Sequence, residues 1–262
     1  HIAGLQVFFQ ALANHNPLVR LFDLPVDHVH QSIEAEGITH LSATPTFYNM
    51  LCSAGQIHPH VRSVTSGGEV SHRRLRERMA STFPNARIHN IYASTEAGTL
   101  LISSGDQFHV PKAYEGRIKV IEGVLAVHRS LLAASLQEHT SDEFYRTGDC
   151  VEVLDSRPLT IRFVSRHGDW INVGGYKVNP HEVEQALLAM EEVQEVLVYG
   201  RDNSVTGSLV CCDIVLVGVE TLTAKDVHAR LATHMPGYMI PRIVRCVDAI
   251  QSTHTGKKGR RP

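Results

Sequence analysis

Two runs decide how this chain is read: Tyr145-Arg146-Thr147-Gly148-Asp149 and Ser165-Arg166-His167-Gly168-Asp169-Trp170-Ile171-Asn172-Val173-Gly174-Gly175-Tyr176-Lys177-Val178-Asn179-Pro180-His181-Glu182-Val183-Glu184. Between them lie two strand-like segments joined by the turn residues Asp155-Ser156-Arg157-Pro158. A hairpin brings its two ends together, so Asp149 and Arg166 are delivered side by side. A carboxylate accepts hydrogen bonds from paired hydroxyls and a guanidinium donates them, a combination that suits the vicinal diol of a ribose. His167-Gly168-Asp169 is a polar bend, and a new unit begins after it. In that unit Asn179 is placed to cap a helix, Pro180 takes its first position, and Glu182 stands where a capping box places an acid.

Working outward, the composition bounds the class. At 262 residues the chain can bury a sizeable core and form more than one domain. A net charge of −2 with 20% charged residues carries no nucleic-acid footprint and no acidic tail. No apolar run reaches the roughly 18 residues of a membrane span, and the amino terminus has no signal-peptide pattern. Five cysteines, Cys52, Cys150, Cys211, Cys212 and Cys246, lack C-x-x-C spacing and read as free thiols of a cytoplasmic protein, mostly in the core. His28-Val29-His30 and His58-Pro59-His60 invite a metal reading. Neither pair has the i, i+4 spacing or companion cysteines of a structural metal site.

Residues 1–96 alternate strand and helix. Val26, Val29 and Ile33 share a helical face stopped by Gly37, and Leu75, Met79 and Phe83 share another. Strands are expected over 39–43, 61–65 and 87–91. Such β-α repeats imply a parallel sheet, whose ligands lie beyond the carboxyl ends of its strands. Two polar loops fall at such ends: Ser66-Gly67-Gly68-Glu69 and Tyr92-Ala93-Ser94-Thr95-Glu96. From 97 to 164 short strands and turns suggest a small antiparallel barrel or sheet, with a hairpin at Glu122-Gly123. After Gly168 the order is helix (180–190), strand (196–199), strand (209–217), helix (224–234) and strand (243–247), a compact α+β domain. The expected fold class is therefore α/β and α+β: a partial doubly wound parallel sheet subdomain over 1–104, a β-barrel-like subdomain over 105–165, and a C-terminal domain over 166–262.

By residue chemistry alone, Tyr92 could stack a purine, Ser94 or Thr95 could donate to a phosphate, and Glu96 could hold Mg²⁺, a hard cation that prefers oxygen. The same residues also read as core plus a turn cap. Likewise, Ser252 to Arg260 reads as a solvated basic tail, and Gly67-Gly68 as an ordinary turn.

YRTGD, SRxxD, GGYKV and EVE together resemble the adenylate-forming enzyme superfamily of acyl-CoA synthetases, peptide-synthetase adenylation domains and luciferases. The resemblance runs from His1 to Arg260. It implies that Asn90 binds the adenine amino group, that Tyr92 packs on the ring with Gly67, Gly68 and Glu69 alongside, and that Asp149 and Arg166 hold the ribose. Thr95 would touch the α-phosphate and Glu96 the Mg²⁺. His1, in His1-Ile2-Ala3-Gly4-Leu5, would line the carboxylate pocket. Thr253-His254-Thr255-Gly256-Lys257 resembles the element whose lysine, here Lys257, reaches the substrate carboxylate and α-phosphate. There His254 stands in place of the usual proline and Gln251 in place of the leading one.

The implied activity is that of an ATP-dependent acid–thiol ligase. A carboxylic acid becomes acyl-AMP and then passes to the thiol of CoA or of an acyl carrier protein's phosphopantetheine, along a path lined by Gly174 and Gly175. A luciferase-type oxygenation is not specifically favoured. The C-terminal domain would be mobile, pivoting at Gly168, where the family usually has Asp or Lys. Ala93 replaces a family glycine and narrows the space beside the acyl carboxylate. A Gly/Ser/Thr-rich loop that grips the β- and γ-phosphates is also implied. Nothing in the chain resembles it, so it is expected upstream of His1, and the chain alone is expected to be inactive. The rival from another class is a non-catalytic nucleotide-binding or interaction module.

Overall fold

In the computed structural model, residues 2–22, 24–138, 141–166, 168–203, 207–218 and 221–250 are described. The described residues divide into two compact units, one built on those up to 147 and on 151–163, the other on 148–150 and on those from 164 to 250.

The first unit opens with helix α1 (Ile2–Ala13) and α2 (Val26–Ala35), then β1 (His40–Ala43), α3 (Pro45–Leu51), β2 (Ser63–Gly67), α4 (Arg73–Thr82), β3 (Arg87–Ser94) and β4 (Gly98–Ser103). Helix α2 is amphipathic as expected, burying Val29 and Ile33, and Gly37 follows it in the left-handed region at φ 57°. Thr44 caps α3 by accepting from Phe47 N, with Pro45 at the first position. Leu75, Met79 and Phe83 at the helical spacing are all buried. They pack with Ile33, Tyr48 and Val64 into one core beneath the sheet. Strands β1, β2 and β3 pair in parallel, and β4 returns antiparallel to β3. The parallel-sheet reading thus holds for three strands, whose helices α2, α3 and α4 share one core, after which the short turn at residues 95–97 sends β4 back along β3.

The following segment contributes β5 (Gln107–His109), β6 (Ile118–Ile121), β7 (Val124–His128), the short α5 (Ala134–Gln137), β8 (Phe144–Ser156) and β9 (Leu159–Arg166). Glu122 and Gly123, both at positive φ, make the expected two-residue hairpin between β6 and β7. These strands form an open sheet in the order β5-β9-β8-β7-β6, with β5 and β6 as edges. The barrel reading is corrected here. Closure needs the two edge strands to pair, and among the described residues they do not.

The second unit contains β10 (Ile171–Val173), β11 (Tyr176–Val178), α6 (Pro180–Leu188), β12 (Val193–Asn203), β13 (Gly207–Leu216), α7 (Ala224–Leu231) and β14 (Ile243–Cys246). Its sheet runs β11-β10-β13-β12, with β14 parallel to β13. Asn179 caps α6 through His181 N, and Thr223 and Asp226 form a full capping box on α7. Val183, Leu187, Val227 and Leu231 of these helices close the core over the sheet. All five cysteines are free, and Cys52, Cys211 and Cys212 are buried. No helix among the described residues is long and apolar enough to cross a membrane.

Candidate functional site

In the first unit the two polar loops lie at one end of the sheet because β2 and β3 are parallel neighbours, with Ser66 opposite Asn90 and Gly67 opposite Ile91. A Cβ on Gly67 would stand 2.8 Å from the Ile91 carbonyl oxygen, so only glycine permits this strand spacing. Gly68 follows at φ 85°. Glu69 then turns its carboxylate toward α3 and accepts from Thr46 N at 3.1 Å and from Thr46 Oγ1 at 2.7 Å. The sheet end and the first turn of α3 are therefore joined through one side chain.

On β3, Asn90 is buried and its Nδ2 donates to the Gly105 carbonyl at 3.0 Å, which orients the amide. Tyr92 stacks on Phe163 with ring centroids 4.3 Å apart, and Phe163 is in turn met edge-on by Phe108. One face of Tyr92 is thereby fixed. The pairing of β3 with β4 shifts register between Tyr92 and Ala93, a bulge that re-aims the residues beyond it. Ser94 Oγ accepts from Ala97 N, and Gly98 at φ 68° completes the reversal. Thr95 is exposed at the tip of this turn and Glu96 is half-buried. The backbone carbonyl of Glu96 accepts from Ala133 N at 2.7 Å, which fixes the turn. Neither the Thr95 hydroxyl nor the Glu96 carboxylate has a hydrogen bond or ion pair with the described residues. An anchored turn thus presents a hydroxyl and a carboxylate at the carboxyl end of a parallel strand, where ligands of such sheets bind. No cluster of three or more potential metal ligands occurs among the described residues, so a cation held by Glu96 would take its other ligands from substrate and water.

In the second unit, Gly148 at φ 79° precedes Asp149, and Arg166 Nε lies 3.6 Å from Asp149 Oδ1. The hairpin β8–β9 therefore juxtaposes the two residues as the sequence implied. Asp169 N donates to the Arg166 carbonyl at 2.9 Å, closing a tight bend around the exposed Gly168, whose Cα has open space beside it. Gly174 and Gly175, at φ 58° and 91°, form the two-residue turn between β10 and β11. A cleft of about 270 Å³ opens beside that turn, lined by Val173, Gly174, Tyr176, Leu209, Val210, Tyr238 and Arg242. Tyr176 and Tyr238 stack at 4.4 Å along it. The Arg242 guanidinium makes no ion pair with the described residues. His1 and Lys257 lie outside the described residues.

Thr46, Phe163, Tyr238 and Arg242 were not singled out from sequence. Tyr238 and Arg242 carried a signal, the run Pro236-Gly237-Tyr238-Met239-Ile240-Pro241-Arg242, in which two prolines restrict the backbone on either side of the aromatic ring. Thr46 and Phe163 carried none, because each meets its partner across a long sequence separation.

Comparison with known proteins matches residues 1–125 to the AMP-binding enzyme family and residues 182–257 to the AMP-binding enzyme C-terminal domain. The chain is 24% identical to gramicidin S synthase 2 of Brevibacillus brevis over 87% of its own length and 6% of that protein's. Among solved structures, ATP-bound MatB from Rhodopseudomonas palustris matches 98% of this chain and 56% of its own, with a TM-score of 0.76 at 21% identity. The o-succinylbenzoate CoA synthetase of Bacillus subtilis, solved with the acyl-adenylate intermediate OSB-AMP, matches 99% of this chain and 58% of its own, with a TM-score of 0.70 at 20% identity. The chain thus spans a little over half of those enzymes and a small part of the peptide synthetase. Matched at both ends by this family's models and throughout by its fold, the chain belongs to the adenylate-forming, AMP-binding enzyme superfamily.

Proposed function

We propose that the chain is the carboxyl-terminal part of an ATP-dependent carboxylate–thiol ligase working in the cytoplasm. In the first step a carboxylate oxygen attacks the α-phosphorus of ATP. An acyl–O–P bond forms, the bond to pyrophosphate breaks, and acyl-AMP remains. In the second, a pantetheine thiol of CoA or of a carrier protein attacks the acyl carbon. The C–S bond forms, the thiol loses its proton, and AMP leaves. The observation that carries this reading is the turn after β3, which holds Thr95 and Glu96 without partners among the described residues beside the buttressed ring of Tyr92.

In this reading Tyr92 offers adenine its face, and Asn90, with Nδ2 committed to Gly105, accepts from the adenine amino group through Oδ1. Gly67 and Gly68 contribute backbone beside the base, while the Glu69 carboxylate holds the loop to α3. Thr95 donates to an α-phosphate oxygen, and Glu96 holds Mg²⁺, which neutralises phosphate charge when bound. Asp149 and Arg166 hold the ribose hydroxyls. Lys257 places an ammonium where negative charge builds up on phosphorus, and His1 lines the carboxylate pocket. Gly174 and Gly175 let a slender thiol arm approach bare backbone, and the cleft beside them supplies two aromatic rings and the Arg242 guanidinium for its pantetheine and phosphate. The second unit would turn about Gly168 between the two steps.

ATP–pyrophosphate exchange by the full-length polypeptide over a panel of carboxylic acids tests this. Exchange that depends on one class of acid is the expected result. Saturable AMP binding with no exchange from any acid would overturn it in favour of a non-catalytic nucleotide-binding module.

A further inference from the structure

At the opposite end of the first unit's sheet, near the amino ends of β1 and β2, three titratable side chains form a chain that the proposed chemistry does not use. His30 and Glu34 lie one turn apart on α2, and His58 lies in the connection between α3 and β2. Glu34 Oε1 is 2.5 Å from His58 Nδ1, and His58 Nε2 is 2.8 Å from His30 Nδ1. Both imidazoles are 1% exposed. His30 Nε2 has no partner among the described residues. We propose that Glu34, His58 and His30 form an acid-sensitive latch, which fastens α2 to the α3–β2 connection and releases it when a further proton enters the imidazole pair.

The proton count follows from the geometry. An ionised carboxylate only accepts, so His58 Nδ1 carries a hydrogen and donates it to Glu34. In a neutral His58 the other nitrogen is then an acceptor, and His30 Nδ1 must donate to it. His30 Nε2 is left as a buried lone pair, which costs far less than a buried N–H without an acceptor. The resting latch therefore holds one ring proton on each histidine. A further proton on His30 Nε2 creates a buried imidazolium beside His58. That arrangement penalises the closed latch.

The surroundings bear on both histidines. Burial, and next the neighbouring His58, push His30 below the ordinary histidine value of 6.5, while the Leu51 carbonyl of α3 and Asp27 on α2 itself pull the other way. The Phe83 ring stacks on His58 at 6.0 Å, and the Thr82 carbonyl fixes the His58 backbone. His60 places Nδ1 3.8 Å from the same Glu34 oxygen and Nε2 3.2 Å from the Ile33 carbonyl. A cleft of about 520 Å³ lined by Glu34, His60 and Arg62 brings solvent to the carboxylate end. A histidine whose native pKa is depressed contributes its stability in full above the unfolded value of 6.5, and loses it as the pH falls through the native value.

The test is hydrogen exchange at the amides of Val26–Ala35 in the intact chain from pH 8 to pH 5, corrected for intrinsic rates. The opening constant of α2 is expected to rise below about pH 6.5 by up to tenfold per pH unit, the limit for uptake of one proton. The His30→Gln variant, which keeps a donor toward His58 but cannot titrate, is expected to lose that rise. Should that variant fail to fold, imidazole nitrogen shifts of the wild-type chain decide. His30 protonated at Nδ1 and titrating below 6.5 supports the latch. A pH-independent α2, a His30→Gln slope equal to that of wild type, or a His30 titrating at or above 6.5 would overturn it.

Discussion

Arg166 Nε stands 3.6 Å from Asp149 Oδ1, the two residues facing each other from neighbouring strands of one hairpin. The Asp149 side chain is 21% exposed and that of Arg166 62%, so the carboxylate is sheltered and the guanidinium reaches into solvent. A pair this exposed contributes little to folding, about 0–1 kcal/mol. In the proposed ribose role the pair aims a carboxylate at a ligand. Asp149→Ala is therefore expected to leave the melting temperature nearly unchanged. It should weaken AMP binding by roughly tenfold to a hundredfold, the loss of a hydrogen bond to a charged group. Calorimetric titration beside a thermal melt separates the two effects, and a large fall in stability at unchanged affinity would count against the ribose role.

Gly67 is expected to be intolerant of any side chain. With the Ile91 carbonyl 2.8 Å from its Cβ position, alanine must push β2 and β3 apart, at a cost of about 1–3 kcal/mol. Denaturant unfolding of Gly67→Ala measures this, and a change below about 0.5 kcal/mol would show that the strands yield.

Glu69 and Thr46 are expected to act as one unit. Glu69→Ala and Thr46→Val each remove part of the same tether, so the double variant should be less destabilised than the sum of the two, with a coupling of about 0.5–3 kcal/mol. Strict additivity in a double-mutant cycle would mean that the contact carries no energy.

Gly168 is the expected pivot. Proline there fixes φ near −65° and should trap the second unit in one orientation, supporting one half-reaction and abolishing the other, whereas Gly168→Asp should be tolerated. Assaying adenylate formation and thioester formation separately decides the matter, since survival of both in the proline variant would rule out Gly168 as the pivot.

Much of this architecture was legible from local patterns. Leu75, Met79 and Phe83 announced one face of α4, Asn179-Pro180 the start of α6, and Thr223 with Asp226 that of α7, because caps and helical periods are written within a few residues. The loops after β2 and β3 were legible for the same reason: a strand ending in glycines or hydroxyls is a local signal. Helix α1 was not read. Leu5, Phe8, Phe9 and Leu12 do recur at the helical i, i+3, i+4, i+7 spacing, but His1-Ile2-Ala3-Gly4-Leu5 was read for its resemblance and not for its period, and the apolar stripe is exposed. The return of β4 and the open form of the β5–β9 sheet depend on which strands meet, and nothing local specifies that. The same holds for the Glu69–Thr46 tether, the Tyr92–Phe163 stack and the His30–His58 pair, whose partners lie 23, 71 and 28 positions apart.

The most direct test of the adenylation account is a pair of half-reactions measured on Lys257→Ala in the full-length polypeptide. Loss of a positioned cation that faces developing negative charge should lower ATP–pyrophosphate exchange by about 10²–10³. Thioester formation from pre-formed acyl-adenylate should stay within about twofold of wild type, because in the proposed cycle the turn about Gly168 has by then taken Lys257 away from the adenylate. That split is the predicted result. Equal losses in both half-reactions, or exchange at the wild-type rate, would contradict the assignment of this chain's carboxyl-terminal lysine to adenylate formation.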